Sequence, residues 1–222
     1  MTHSPLSTVT IKPQAEHRYS IIWLHGLGAN GHDFEGIVPE LSLNQAAHIH
    51  FIFPNAPIQA VTINGGMEMP SWYDILDMSL DKKVAVDDIY HSSAQIEQLI
   101  QQEIDLGINA ENILLAGFSQ GGVIALHTGL RYAQKLAGIL ALSTYLPTIE
   151  QLKTEAATCN AQVPIFMAHG TMDTVVNPSI AKTAYQNLKQ LDYPIEWHEY
   201  PMEHSLCLEE IEAISGFINQ VF

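Results

Sequence analysis

Ile113-Leu114-Leu115-Ala116-Gly117-Phe118-Ser119-Gln120-Gly121-Gly122-Val123-Ile124-Ala125-Leu126 is the stretch that decides the fold. Residues 113–116 form an unbroken apolar run, as in a strand buried on both faces. Val123, Ile124, Leu126 and Leu130 recur at the spacing of one helical face. A strand therefore passes into a helix across Gly117-Phe118-Ser119-Gln120-Gly121. So sharp a turn strains the residue at its apex, and glycines two positions to either side keep side chains out of the corner. Ser119 is then lifted above the sheet edge, beside the first free N–H groups of the helix, where a nucleophile would sit. The plainer reading of the same residues is a glycine-rich turn with a helix-capping serine.

Working outward, apolar strands alternate with amphipathic helices. Strands are expected at residues 9–11 (a short edge strand), 19–24, 49–53, 113–116, 138–143, 163–169 and 195–200. Helices are expected at about 33–41, 87–106, 149–157, 178–191 and 208–220, besides the one after Ser119. Asn177-Pro178 reads as a cap followed by proline at the first helical position. Residues 58–83 read as irregular, with a turn at Asn64-Gly65-Gly66. The pattern predicts an α/β fold with a mostly parallel central sheet, helices on both faces and no large cap, in one domain spanning residues 1–222. In such sheets the active site lies outside the carboxyl ends of the strands.

Composition narrows the functional classes. A net charge of −15 argues against nucleic acid as a partner and against electrostatic attraction to anionic lipid. Two cysteines, Cys159 and Cys207, imply no disulfide framework. Residues 1–14 lack the apolar core of a secretion signal, and no apolar run approaches a membrane span, so a cytoplasmic location is expected. No His-Glu-x-x-His or paired cysteine motif is present, so no metal is expected.

A neutral serine needs a base to take its proton and a third group to orient that base. In a strand–turn–helix setting the chain order is serine, acid, histidine. Asp173, in the loop after the strand at 163–169, fits the acid, although a turn-forming aspartate would look the same. His198 lies inside the last strand, whereas His204 lies in the loop beyond it and is free to reach Ser119, so His204 is chosen as the base. The oxyanion of a tetrahedral intermediate needs two backbone N–H groups; Gln120 and Leu27, the latter in His25-Gly26-Leu27-Gly28, supply them. His25 is read as a buttress for that loop, with a catalytic or metal-binding role as its alternative.

These residues carry a family resemblance. Leu24-His25-Gly26-Leu27-Gly28, Pro54-Asn55-Ala56-Pro57, Gly65-Gly66, Ser71-Trp72-Tyr73-Asp74, Gly117-Phe118-Ser119-Gln120-Gly121-Gly122, His169-Gly170-Thr171-Met172-Asp173 and Glu203-His204 fall in order along nearly the whole chain. The chain resembles the bacterial carboxylesterase and acyl-protein thioesterase family of small α/β-hydrolases. The resemblance implies a Ser119–His204–Asp173 triad, an oxyanion hole of Leu27 and Gln120 amides, no cofactor, and hydrolysis of carboxylic esters or acyl thioesters. It also implies a homodimer that partly covers the site. Ala29-Asn30-Gly31-His32 and Thr62-Ile63-Asn64-Gly65-Gly66 lean toward the bacterial carboxylesterase branch.

The main expectation is thus a serine carboxylesterase acting on short-to-medium acyl esters, with lysophospholipids or acyl thioesters as close variants. The alternative is an acyl-protein thioesterase that removes acyl chains from proteins. A non-catalytic binding module and a serine peptidase are the more distant readings. Ile75-Leu76-Asp77-Met78-Ser79-Leu80 is an apolar segment in an irregular region. Ile75, Leu76, Met78 and Leu80 are expected either to line an acyl groove with Trp72 or to pack on the core or a dimer partner. Any membrane contact would be peripheral and made through this loop.

Overall fold

The computed structural model describes residues 5–77 and 84–222. Its main sheet contains β1 (Thr8–Ile11), β2 (Tyr19–Leu24), β3 (Ile49–Pro54), β6 (Ile113–Phe118), β7 (Gly138–Leu142), β8 (Ile165–Gly170) and β9 (Ile195–Tyr200). Their order in space is β1-β3-β2-β6-β7-β8-β9. β1 pairs antiparallel with β3; the other neighbouring pairs are parallel. The helices are α1 (Val86–Asp105), α2 (Gln120–Arg131), α3 (Ile149–Glu155), α4 (Pro178–Gln190) and α5 (Leu208–Val221).

Side-chain alternation explains why the strands read as solid apolar runs. Along β2, Ile22 and Leu24 face the core layer shared with α1 and α2, while Ile21 and Trp23 face the layer shared with α5. Both faces of the sheet are covered, so both sets of side chains must be apolar. α2 is buried at every position from Gln120 to Leu130, as befits the helix that starts at the elbow and crosses β6 and β7. No described helix is long and apolar enough to cross a membrane.

The helix termini follow local chemistry. Asp87 and Asp88 occupy the first turn of α1, and Gly107, at φ 99°, lies just past its end. The Asn177 carboxamide accepts the Ser179 N–H at 2.9 Å, capping α4 ahead of Pro178.

Two expectations need correction. Part of the region read as irregular is a separate antiparallel hairpin, β4 (Ile58–Val61) and β5 (Met67–Pro70), closed through Asn64-Gly65-Gly66. Its exposed and half-buried positions, with Pro57 before β4 and Pro70 ending β5, hide the strand pattern. The helix expected at 33–41 is a 3₁₀ helix at Glu35–Glu40, which contains Pro39, a residue with no backbone N–H to donate. Met78 and Leu80 lie outside the described residues.

One buried carboxyl shapes stability. Glu210 in α5 is fully buried, and among the described residues no hydrogen bond reaches either of its carboxylate oxygens. Burial pushes its carboxyl up to about 8. Between the usual carboxylate range and that value, the folded state binds a proton that the unfolded chain has lost. Stability therefore falls as pH rises through this window and levels off above it. Glu210→Gln is expected to remove this slope and raise the midpoint of thermal unfolding at pH 8; parallel melts at pH 5 and pH 8 check it. An unchanged slope in the variant would assign the pH dependence to other groups.

Candidate active site

The elbow has the strained geometry read from its sequence. Ser119 sits at φ 54° and ψ −120°, a region that L-residues rarely occupy, and separates the end of β6 from the start of α2. A Cβ at position 117 would strike the carbonyl of Gly121, and one at 121 would strike the carbonyls of Leu24 and His25. The two glycines therefore allow backbone-on-backbone contact that no side chain would permit. The turn is held by the Thr144 hydroxyl, which donates to Ser119 O at 2.7 Å, and by Ser119 N–H donating to Leu142 O at 2.9 Å.

Beside the elbow, the loop after β2 is fixed by a chain of hydrogen bonds. The Ala56 N–H donates to His25 Nε2 at 3.1 Å, so the ring proton lies on Nδ1 and donates to Gly26 O at 2.7 Å. Burial lowers the His25 pKa, which keeps this neutral tautomer. His25 is thus a buttress of the loop. Among the described residues, neither the Leu27 nor the Gln120 N–H donates to a protein acceptor. Leu27 and Gln120 border the same cavity as Ser119.

The Gln120 side chain does something that its backbone role did not foretell. Its Oε1 accepts the Trp72 N–H at 3.0 Å, and its Nε2 donates to Tyr73 O at 2.8 Å. Trp72 in turn donates its indole N–H to His25 O at 2.9 Å. Ser71-Trp72-Tyr73 is therefore a strap that ties the start of α2 to the loop after β2.

Asp173 and His204 are joined past the ends of β8 and β9. His204 Nδ1 donates to Asp173 Oδ2 at 2.6 Å, while Asp173 Oδ1 accepts the Val175 and Val176 N–H groups at 2.8 Å each. Burial raises the Asp173 carboxyl, but the bonds from His204 and the two amides outweigh it and hold the pKa below its ordinary value. An ionised Asp173 only accepts, so the His204 proton lies on Nδ1 and the Nε2 lone pair is free. The His204 ring packs 4.6 Å from that of Phe118, the residue before Ser119. Among the described residues no hydrogen bond joins the Ser119 hydroxyl to His204; hydroxyl–base contacts are often loose without substrate. His198 stacks on Phe166 at 4.6 Å on one face of the sheet, away from this pair.

Sequence reasoning missed His169. Its Nε2 lies 2.8 Å from Val176 O and 3.3 Å from Asp173 Oδ2, so it bridges the acid to its own loop. Thr144 was missed as well. Both stand at or just past the carboxyl end of a strand, β8 and β7 respectively, and that position was the available signal.

A cavity of about 250 Å³ opens beside Ser119. Leu27, Ile63, Ile75, Val175 and Val176 give it an apolar wall, with Tyr73 and Tyr145, whose hydroxyls are 3.0 Å apart. Of the residues expected to contact an acyl chain, Ile75 lines this cavity. Trp72 does not: it is fully buried behind the loop after β2, where its indole serves the strap. Leu76 also does not line it, and its side chain is 46% exposed.

A serine at a strand–helix elbow, followed in the chain by an acid and a histidine paired past later strands, defines an α/β-hydrolase. The chain belongs to the phospholipase/carboxylesterase family, whose model matches residues 6–222. It is 42% identical to acyl-protein thioesterase 1 of Neurospora crassa over 217 residues, covering 93% of this chain and 88% of that protein. It is 36% identical to acyl-protein thioesterase 1 of Yarrowia lipolytica, covering 97% of each. The crystal structure of Arabidopsis thaliana SOBER1 superposes with a TM-score of 0.86 at 31% identity, covering 92% of this chain and 99% of that one.

The wall predicts how acyl length affects rate. Each buried methylene contributes about 0.8 kcal/mol, so kcat/KM should rise about fourfold per added carbon until the cavity is filled. Val175 is exposed at the cavity wall. Val175→Phe should end the rise at a shorter chain while sparing acetate esters; a p-nitrophenyl ester series measures it. An unchanged length profile would place the acyl chain elsewhere.

Proposed function

We propose that this protein hydrolyses acyl thioesters, as the names of its relatives describe, with short-to-medium oxygen esters as further substrates. The observation that carries the reading is the Asp173–His204 hydrogen bond of 2.6 Å beside a serine held at a strained elbow. The relatives favour the thioesterase alternative over the carboxylesterase reading and over the bacterial branch toward which the loops at 29–32 and 62–66 lean.

In this reading, Ser119 Oγ attacks the acyl carbonyl carbon as His204 Nε2 takes its proton. Asp173 holds the imidazole in the useful tautomer and stabilises the imidazolium. Charge on the carbonyl oxygen is met by the Leu27 and Gln120 N–H groups. The tetrahedral intermediate expels the thiolate, which leaves with the proton from His204. Water, deprotonated by the same nitrogen, then attacks the acyl-serine; as the second tetrahedral intermediate collapses, His204 returns that proton to Ser119 Oγ and the carboxylic acid leaves. The cavity beside Ser119 takes the acyl chain.

The homodimer and the peripheral membrane contact belong to the same proposal. Ile58 and Met67 on the β4–β5 hairpin, with Leu76 after it, are exposed apolar side chains that support such a contact. Cys159 and Cys207 are both unpaired, which supports a reducing, cytoplasmic location.

The test pairs a medium-chain acyl thioester with the matched oxygen ester and an S-acylated peptide. The thioester and the peptide should give the larger kcat/KM. Ser119→Ala should lose at least about 10⁴ of kcat on all three and still fold, since the change removes one oxygen. Near-normal turnover by folded Ser119→Ala would overturn the mechanism; a larger kcat/KM for the oxygen ester would overturn the thioester preference alone.

A further inference from the structure

At the amino ends of β2 and β3, the end of the strands away from Ser119, four side chains from distant parts of the sequence converge. His17 precedes β2, Ser20 lies on β2, His50 on β3 and Glu103 near the end of α1. They gather around one oxygen, Glu103 Oε2: Ser20 Oγ donates to it at 2.6 Å and His50 Nδ1 lies 3.1 Å away, while His17 Nε2 bonds to Ser20 Oγ at 2.9 Å and stands 3.4 Å from the same oxygen. The His17, His50 and Glu103 ligand atoms all lie within 4.8 Å of one another. The two imidazole rings are 5.3 Å apart at 86°, so their nitrogens approach the carboxylate from different directions.

We propose that His17 Nε2, His50 Nδ1 and Glu103 Oε2 bind a zinc-class divalent ion, with water in the fourth position. The chemistry of the donors selects the ion. Two imidazoles and one carboxylate suit Zn²⁺ and its neighbours, whereas Ca²⁺ and Mg²⁺ prefer oxygen ligands throughout. The spacing agrees. Zinc–ligand bonds of about 2.0–2.1 Å in a tetrahedron put adjacent ligand atoms about 3.3 Å apart. The two nitrogen–oxygen edges, at 3.1 and 3.4 Å, bracket that figure, and the nitrogen–nitrogen edge lies within 4.8 Å.

The surroundings are those of a built site. The Glu103 side chain is 6% exposed, and Ser20 donates to it in the orienting role that outer groups play around metal ligands. His17 and His50 keep 21% and 15% of their side-chain surface, which leaves a path for the ion and room for water. Without the ion, His50 Nδ1 carries the proton given to the carboxylate and His17 Nε2 the proton given to Ser20 Oγ; on ligation each ring moves its proton to its other nitrogen. No local motif announces the site because its ligands stand at positions 17, 50 and 103, which explains why a motif search of the sequence expected no metal. Bound there, the ion would tie β2, β3 and α1 together without touching the hydrolytic residues.

The test titrates the full-length protein, stripped with EDTA, with Co²⁺ and with Zn²⁺. Co²⁺ should give a tetrahedral visible d–d spectrum saturating at one equivalent, without a thiolate charge-transfer band. Zn²⁺ should displace it and raise the unfolding temperature. His17→Ala and Glu103→Gln should each weaken Zn²⁺ binding at least about tenfold in chelator competition, with ester hydrolysis kept as proof of folding. His204→Ala should leave the Co²⁺ spectrum intact. Should a variant fail to fold, protection of His17 from diethyl pyrocarbonate by Zn²⁺ in the unaltered protein supports the site, and modification unaffected by Zn²⁺ overturns it. Lack of a tetrahedral spectrum, its survival in folded His17→Ala, or its loss in His204→Ala would also overturn it.

Discussion

The structure depends on one close approach: the backbone of Gly121 lies against the carbonyls of Leu24 and His25, and that of Gly117 against Gly121. This contact sets the start of α2 directly against the end of β2. It forces Ser119 to φ 54°, a strain of order 1–3 kcal/mol that persists only because its surroundings over-determine it. The restraints are visible. Thr144 and Leu142 hold the Ser119 backbone, and Gln120 grips the Ser71–Tyr73 strap. Trp72 closes the circuit onto His25, which itself bridges Gly26 and Ala56. Two otherwise unrelated loops are thereby fixed so that the amides of Leu27 and Gln120 border one cavity.

The other half of the site is built on electrostatics. A carboxylate placed as deep as Asp173 would prefer to be neutral, and burial alone would raise its pKa. His204 and the amides of Val176 and Val175 reverse that preference. Ionisation of Asp173 fixes the proton of His204 on Nδ1, so the tautomer of this imidazole is set two hydrogen bonds away by a loop's backbone. Loss of one such donor would leave a buried charge under-solvated, at a cost of roughly 1–3 kcal/mol.

Much of this was legible in the chain. The solid runs of β2 and β6 gave the parallel sheet, because strands covered on both faces cannot alternate in polarity. Gly117 and Gly121 marked the elbow, and loop positions after β8 and β9 marked Asp173 and His204. What stayed hidden depended on tertiary contact. Trp72 read as a substrate contact because an aromatic beside an apolar loop looks the same whether it faces a cavity or a backbone carbonyl. Gln120 was chosen for its amide, and nothing local showed that its carboxamide would anchor a strap 47 to 49 residues away. The β4–β5 hairpin was concealed by its own exposure, since a strand with little buried surface writes almost no period into the sequence.

The central claim, that Ser119 is the nucleophile activated by His204, is tested most directly by labelling with a fluorophosphonate and mapping the adduct by peptide mass spectrometry. The account predicts one adduct per chain, on Ser119, with labelling abolished in folded His204→Ala. An adduct on another residue, or undiminished labelling of folded His204→Ala, would contradict it.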